Sequence, residues 1–214
     1  MLMASRSWRP ACVVALLAGV IPLAHAQPVA DKPVLDVGDS WSFSQRKSDP
    51  GAAEGKMDKW SRKIVEILPD DRLRVQLGSG KVADYDGALN WMPDGKREYD
   101  LVLVRYPLRV GDKWDISRRF ENPGQIEMGT AEVVAYESIT VPAGTFQCYR
   151  VDAKTAINTK YYREFRSWNR WYCPDVKWIA KEKYETSTWS VANPAANGLV
   201  VTQTSELVRF TRGQ

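Results

Sequence analysis

Few residues of this chain have the type and spacing to do chemistry. The first candidates are the acids Asp84, Asp86, Asp94, Glu98 and Asp100. A facing pair of carboxylates can act as acid and base in glycoside hydrolysis, and loop-clustered carboxylates can hold calcium. Neither the spacing nor any surrounding motif favours these uses, and turn-forming aspartates and solvated strand residues account for the set. Histidine is more decisive. The chain has one, His25, which falls in a leader expected to be removed. The remainder has no imidazole for a Ser-His or Cys-His nucleophile, and it lacks the commonest zinc and copper ligand. No G-x-S-x-G elbow, Walker loop or dinucleotide-binding glycine run follows the leader. The expectation is a non-enzymatic protein without cofactor or metal.

Two further constellations remain. One is the aromatic and basic ladder from Tyr161 to Tyr172. At period two, Tyr161, Phe165 and Trp171 share a face with Arg163, and Tyr162, Trp168 and Tyr172 share the other with Glu164, Arg166 and Arg170. One aromatic set should be core. The other offers a platform for a sugar ring or lipid tail, with arginines for an anionic head group. Cross-strand pairing on a solvated sheet face is the plainer alternative. The second constellation is Cys148 and Cys173, the only cysteines after the leader. An even pair in an oxidising compartment suggests a disulfide. A buried free pair and a redox pair are the alternatives, though C-x-x-C spacing is absent.

These residues sit in recognisable phrases. Val141-Pro142-Ala143-Gly144-Thr145-Phe146 forms one turn, and Trp171-Tyr172-Cys173-Pro174-Asp175-Val176-Lys177 another. Upstream lies Tyr106-Pro107-Leu108-Arg109-Val110-Gly111-Asp112-Lys113-Trp114. Together they resemble a family of uncharacterised exported bacterial proteins, over roughly Tyr106 to Glu185. Lys177 departs from that pattern, where glycine usually closes the turn. The resemblance implies an antiparallel β protein of the envelope, similar to the open barrels that carry lipoproteins. It implies no activity, so no functional residue is carried over.

Residues 1–26 read as a secretory signal peptide. Arg6 and Arg9 form the positive region, Ala11 to Leu23 the apolar run, and Ala24-His25-Ala26 the cleavage site. The expected location is periplasmic or secreted. No later apolar run is long enough for a transmembrane helix. The chain has 30 basic and 26 acidic residues. Removing Arg6 and Arg9 leaves 28 against 26, a net charge of +2. That is too weak to argue for nucleic acid.

Residues 27–214 are expected to form one antiparallel β domain. Strand patterns run over Trp60–Leu68, Leu73–Leu77, Val82–Tyr85, Leu89–Met92, Arg97–Tyr106 and Trp114–Phe120. They continue over Met128–Ile139, Phe146–Ile157, Lys160–Tyr172, Trp178–Val191 and Leu199–Arg212. Gly, Pro and Asp turns separate them. A short helix is a candidate only at Ala52–Lys59. Val37-Gly38-Asp39-Ser40-Trp41 returns as Val110-Gly111-Asp112-Lys113-Trp114, suggesting a duplicated turn-strand unit. Its tryptophans are either paired binding walls or two core anchors.

Apolar residues on both parities predict an all-β, curved antiparallel sheet forming an open or closed barrel, with a β-sandwich as alternative. The leading functional expectation is a lipid or other amphipathic small molecule held in the concavity. Trp41, Trp114, Phe165, Trp168 and Trp171 are the lining candidates. The alternative is a structural module that meets an envelope protein, and a glycan hydrolase comes third.

Overall fold

The computed structural model describes residues 28–49, 55–92, 102, 104–120, 125–190 and 192–213. The expected signal peptide lies outside them, as do Asp94, Glu98 and Asp100 of the acidic set. Alternation and turn chemistry produce ten strands: β1 (Ser40–Ser48), β2 (Lys56–Leu68), β3 (Arg72–Leu77), β4 (Val82–Asp86) and β5 (Lys113–Arg119). The others are β6 (Ile126–Val141), β7 (Gly144–Asn158), β8 (Tyr162–Cys173), β9 (Trp178–Ser190) and β10 (Val200–Thr211). They form a single sheet in the order β4-β3-β2-β1-β10-β9-β8-β7-β6-β5, antiparallel at every step. The first and last strands therefore meet in the middle, joining two meanders.

The sheet is curved and unclosed, which selects the open form over the closed barrel and the sandwich. β4 and β5 end it on opposite edges. The chain between them includes Leu89, Val104 and Leu108, which pack into the same core as Trp41 and Val151. Among the described residues its β pairing is limited to isolated bridges, Tyr85 with Trp91 and Ala30 with Leu108. The expected strand at Leu89–Met92 is thus one bridge. Asp86 caps a turn there, accepting hydrogen bonds from the backbone N–H groups of Ala88 and Asn90, both at 2.9 Å. The expected strand at Arg97–Tyr106 lies largely outside the described residues, and its described part is not strand. In the candidate helix at Ala52–Lys59, Lys56 to Lys59 belong to β2, where they pair with Ser44 to Lys47. Among the described residues only three single turns are helical, Pro69–Asp71, Pro174–Val176 and Pro194–Ala196. None is long enough to cross a membrane.

The duplicated phrase forms two copies of one device. Gly38 and Gly111 have φ of 98° and 97°, a region that glycine reaches without strain. Gly38 N–H donates to Ile64 C=O (2.8 Å), and Ile64 N–H donates to Asp39 C=O (2.9 Å). Gly111 does the same with Val133 (2.7 Å), and Val133 with Asp112 (2.9 Å). Each turn thereby pins its strand to the next, and each tryptophan enters the core.

Several buried phenols give this fold an alkaline limit. Burial raises the pKa of Tyr85, Tyr172 and Tyr184, and raises that of Tyr106 well above the ordinary value of 10.0. Above about pH 10 the unfolded phenols release protons that the folded ones keep, so the unfolded state binds fewer protons and stability falls as pH rises. Urea midpoints should be flat with respect to these groups up to about pH 9.5 and drop steadily above pH 10. A midpoint unchanged between pH 9.5 and 11 would contradict this.

Candidate functional site

The structure separates the five lining candidates by burial. Trp41 is 0% exposed; its indole donates to Val176 C=O (2.7 Å), stacks on Phe210 and meets the edge of Trp178. Trp114 is buried and donates to Val102 C=O (3.1 Å). Trp168 is buried against Tyr184, their ring centroids 5.2 Å apart. Trp171 is buried and donates to Glu137 Oε1 (2.8 Å). Of the five, Phe165 alone reaches solvent, at 47% exposure.

The inner face also carries charge that spacing did not reveal. Glu127 is fully buried and accepts hydrogen bonds from Thr155 Oγ1 and Arg166 Nη1, the latter at 3.0 Å. Arg166 Nε donates to Glu164 Oε1 (2.6 Å), which also accepts from Thr186 Oγ1. Burial opposes the charge on Arg166, but Glu164 and Glu127 outweigh it and raise its pKa. The two carboxylates therefore converge on a guanidinium and not on an open cleft, which is a poor arrangement for acid and base. Among the described residues no cluster of three or more His, Cys, Asp or Glu could hold a metal.

The open site lies on the other face of β8. The ladder pairs Arg163 with Trp189, and Phe165 with Ser187. The Phe165 and Trp189 rings meet edge to face at 5.4 Å. Thr159 shapes the turn before β8: its hydroxyl accepts from the N–H groups of Tyr161 (3.2 Å) and Tyr162 (3.0 Å). That turn projects Tyr161, which is 64% exposed, with Lys160 Nζ 4.6 Å from its ring centre. Opposite, Asn197 Oδ1 accepts from Ser190 N–H (2.6 Å), and Gly198 N–H donates to Thr188 C=O (3.2 Å). These bonds hold the β9–β10 loop beside Trp189. A side chain at Gly198 would begin 3.4 Å from the Trp189 ring, and the residue has φ of 76°.

Between the turn and the loop lies a cleft of about 610 Å³. Tyr161, Phe165 and Trp189 line it with Lys160 and Arg163, and among the described residues no carboxylate does. Such a cleft can stack an apolar body and pair with an anionic head. A smaller pocket of about 220 Å³ shares Phe165 and adds Lys154, Glu185 and Val200.

Sequence reasoning identified Tyr161, Arg163 and Phe165 as one face of the ladder but missed Trp189. A signal was present. A hairpin centred on Pro174-Asp175-Val176 brings residues about equally far on each side together, which sets Arg163 opposite Trp189.

Residues 117–191 match the model of the DUF3108-like family. That stretch contains two of the three phrases that carry the resemblance to an uncharacterised exported family, the turns from Val141 and from Trp171, while Tyr106–Trp114 lies before it. No curated protein matches the chain. Among solved structures, a Bacteroides fragilis protein thought to be exported, with a YmcC-like fold, is similar over 86% of this chain and 100% of its own, at 14% identity and a TM-score of 0.44. A candidate lipoprotein from Parabacteroides distasonis has the same coverage and TM-score at 16% identity. The hypothetical lipoprotein YmcC from Escherichia coli matches over 80% of this chain and 84% of its own, at 9% identity and a TM-score of 0.41.

Proposed function

We propose that this chain is an exported, non-enzymatic β domain that holds an amphipathic anion in the cleft between the β7–β8 turn and the β9–β10 loop. The supporting observation is the lining itself: three exposed rings beside two cations, with no carboxylate among the described residues. Exposed aromatic rings lose ordered water when an alkyl chain or sugar face covers them. Lys160 and Arg163 supply the countercharge for a carboxylate, phosphate or sulfate head. The leader supports an exported location. The four buried tryptophans argue against the ligand lying deep in the concavity, because their indoles already have protein partners.

The test is native mass spectrometry of the mature protein, purified from a periplasm without detergent. A reproducible adduct of lipid-like mass, lost on organic extraction, is expected. A bare mass together with no binding of monomeric dodecyl phosphate would sink the reading and favour a protein-interaction module. Replacing both Phe165 and Trp189 with alanine should weaken dodecyl phosphate binding by at least about tenfold, since each ring contributes on the order of 1.5 kcal/mol of burial. The melting temperature should barely move, because both rings are exposed.

A further inference from the structure

The Phe165 cleft is one corner of a larger surface. Ladder register places Ser117, Met128, Ala156, Phe165, Ser187 and Val200 in one row across β5 to β10. Met128 is 62% exposed, and Val200, like Phe165, is 47% exposed. The next row toward the β7–β8 turn pairs Arg119 with Ile126 on one side, and Asn158 with Arg163 and then Trp189 on the other. Ile126 and Trp189 are exposed as well. Single exposed apolar residues need no explanation, but neighbours joined through one sheet face form a patch, and patches mark contact surfaces.

The charges identify what the patch fits. Among the described residues of these two rows and the adjoining turn they are Arg119, Arg163 and Lys160. Carboxylates enter one row further, where Asp115 and Glu185 flank Lys154. Protein interfaces deplete charge at their centres, whereas a lipid surface rewards cations set among aromatic and apolar side chains. We infer that this end of the sheet docks on an anionic membrane surface. Met128, Ile126 and the rings enter the head-group layer, and Arg119, Arg163 and Lys160 meet lipid phosphates. The inference goes beyond the amphiphile reading, because docking needs no ligand in the cleft.

Co-sedimentation of the full mature chain with vesicles tests it. Vesicles containing about one third phosphatidylglycerol in phosphatidylcholine should bind at least about tenfold more tightly than phosphatidylcholine alone, and salt should weaken the binding. Met128→Asp lies outside the cleft lining and is exposed, so it should fold normally. It should lower vesicle binding by at least about tenfold and leave monomeric dodecyl phosphate binding unchanged. Arg163→Gln should weaken both. No sedimentation with anionic vesicles, equal binding to neutral ones, or wild-type binding by Met128→Asp would each overturn the proposal. Vesicle binding that persists while the cleft variants leave dodecyl phosphate affinity intact would instead remove the amphiphile reading alone.

Discussion

Replacing Asp39 with alanine is expected to destabilise the fold by about 3–5 kcal/mol, the range for stripping one partner from a buried charged pair. Asp39 is completely buried. Its Oδ2 accepts from Asp36 N–H (2.9 Å) and Lys177 Nζ (2.9 Å), and its Oδ1 accepts from Gly213 N–H (2.8 Å). One carboxylate thus ties the start of β1 to the turn before β9 and to the end of the chain. Lys177 holds φ of 60°, a left-handed conformation that favours glycine. Burial opposes the charge on Lys177, but its bonds to Asp36 and Asp39 outweigh that and raise its pKa. Asp39→Ala leaves that ammonium with Asp36 alone, in a conformation that lysine adopts reluctantly.

The duplicated phrase provides an internal control. Asp112 occupies the equivalent position, but its side chain accepts one hydrogen bond, from Arg109 N–H (3.1 Å), close to solvent. Asp112→Ala should cost about 1 kcal/mol or less. Urea unfolding of the two variants reads the difference. Equal losses would show that the buried Asp39 network contributes nothing beyond the shared turn.

The second large effect concerns the bridge. Cys148 and Cys173 form a disulfide between β7 and β8, and both are fully buried. Closing 25 residues of chain would stabilise by up to about 3.5 kcal/mol in the entropic account. Changing both cysteines to alanine should therefore lower the melting temperature by roughly 7–14 °C, at the slope usual for this size. The fold should survive, because β7 and β8 stay paired from Tyr149–Tyr172 to Asn158–Arg163. Intact-mass alkylation of the unreduced, denatured mature protein checks the bond. Two reactive thiols would refute it, and a double variant with wild-type stability would show that the hairpin already supplies the closure.

Much of this was legible from local signals. β3 to β10, and β2 from Trp60 onward, fall close to where alternation and turn residues place them, because side-chain alternation and Gly, Pro and Asp turns act over two to four residues. The V-G-D-x-W copies announced matching strand starts. The ladder from Tyr161 to Tyr172 divided into two faces as its parity required, with Trp168 and Tyr172 inward and Phe165 outward. Trp171 broke the pattern. It lies on the outer parity yet is buried, because Glu137 and Lys181 cover the indole.

The sequence by itself determined an all-β antiparallel chain, its hairpins, and a pair of cysteines one hairpin apart. Tertiary structure decided the rest. It paired β1 with β10, left β4 and β5 apart and buried four of five candidate rings. The reason is physical. Alternation assigns residues to two faces but does not say which face is covered, and a single bulge exchanges them. Coverage depends on residues that separate strands bring together, Trp41 and Val176 lying 135 positions apart, and such contacts leave no local trace in the chain.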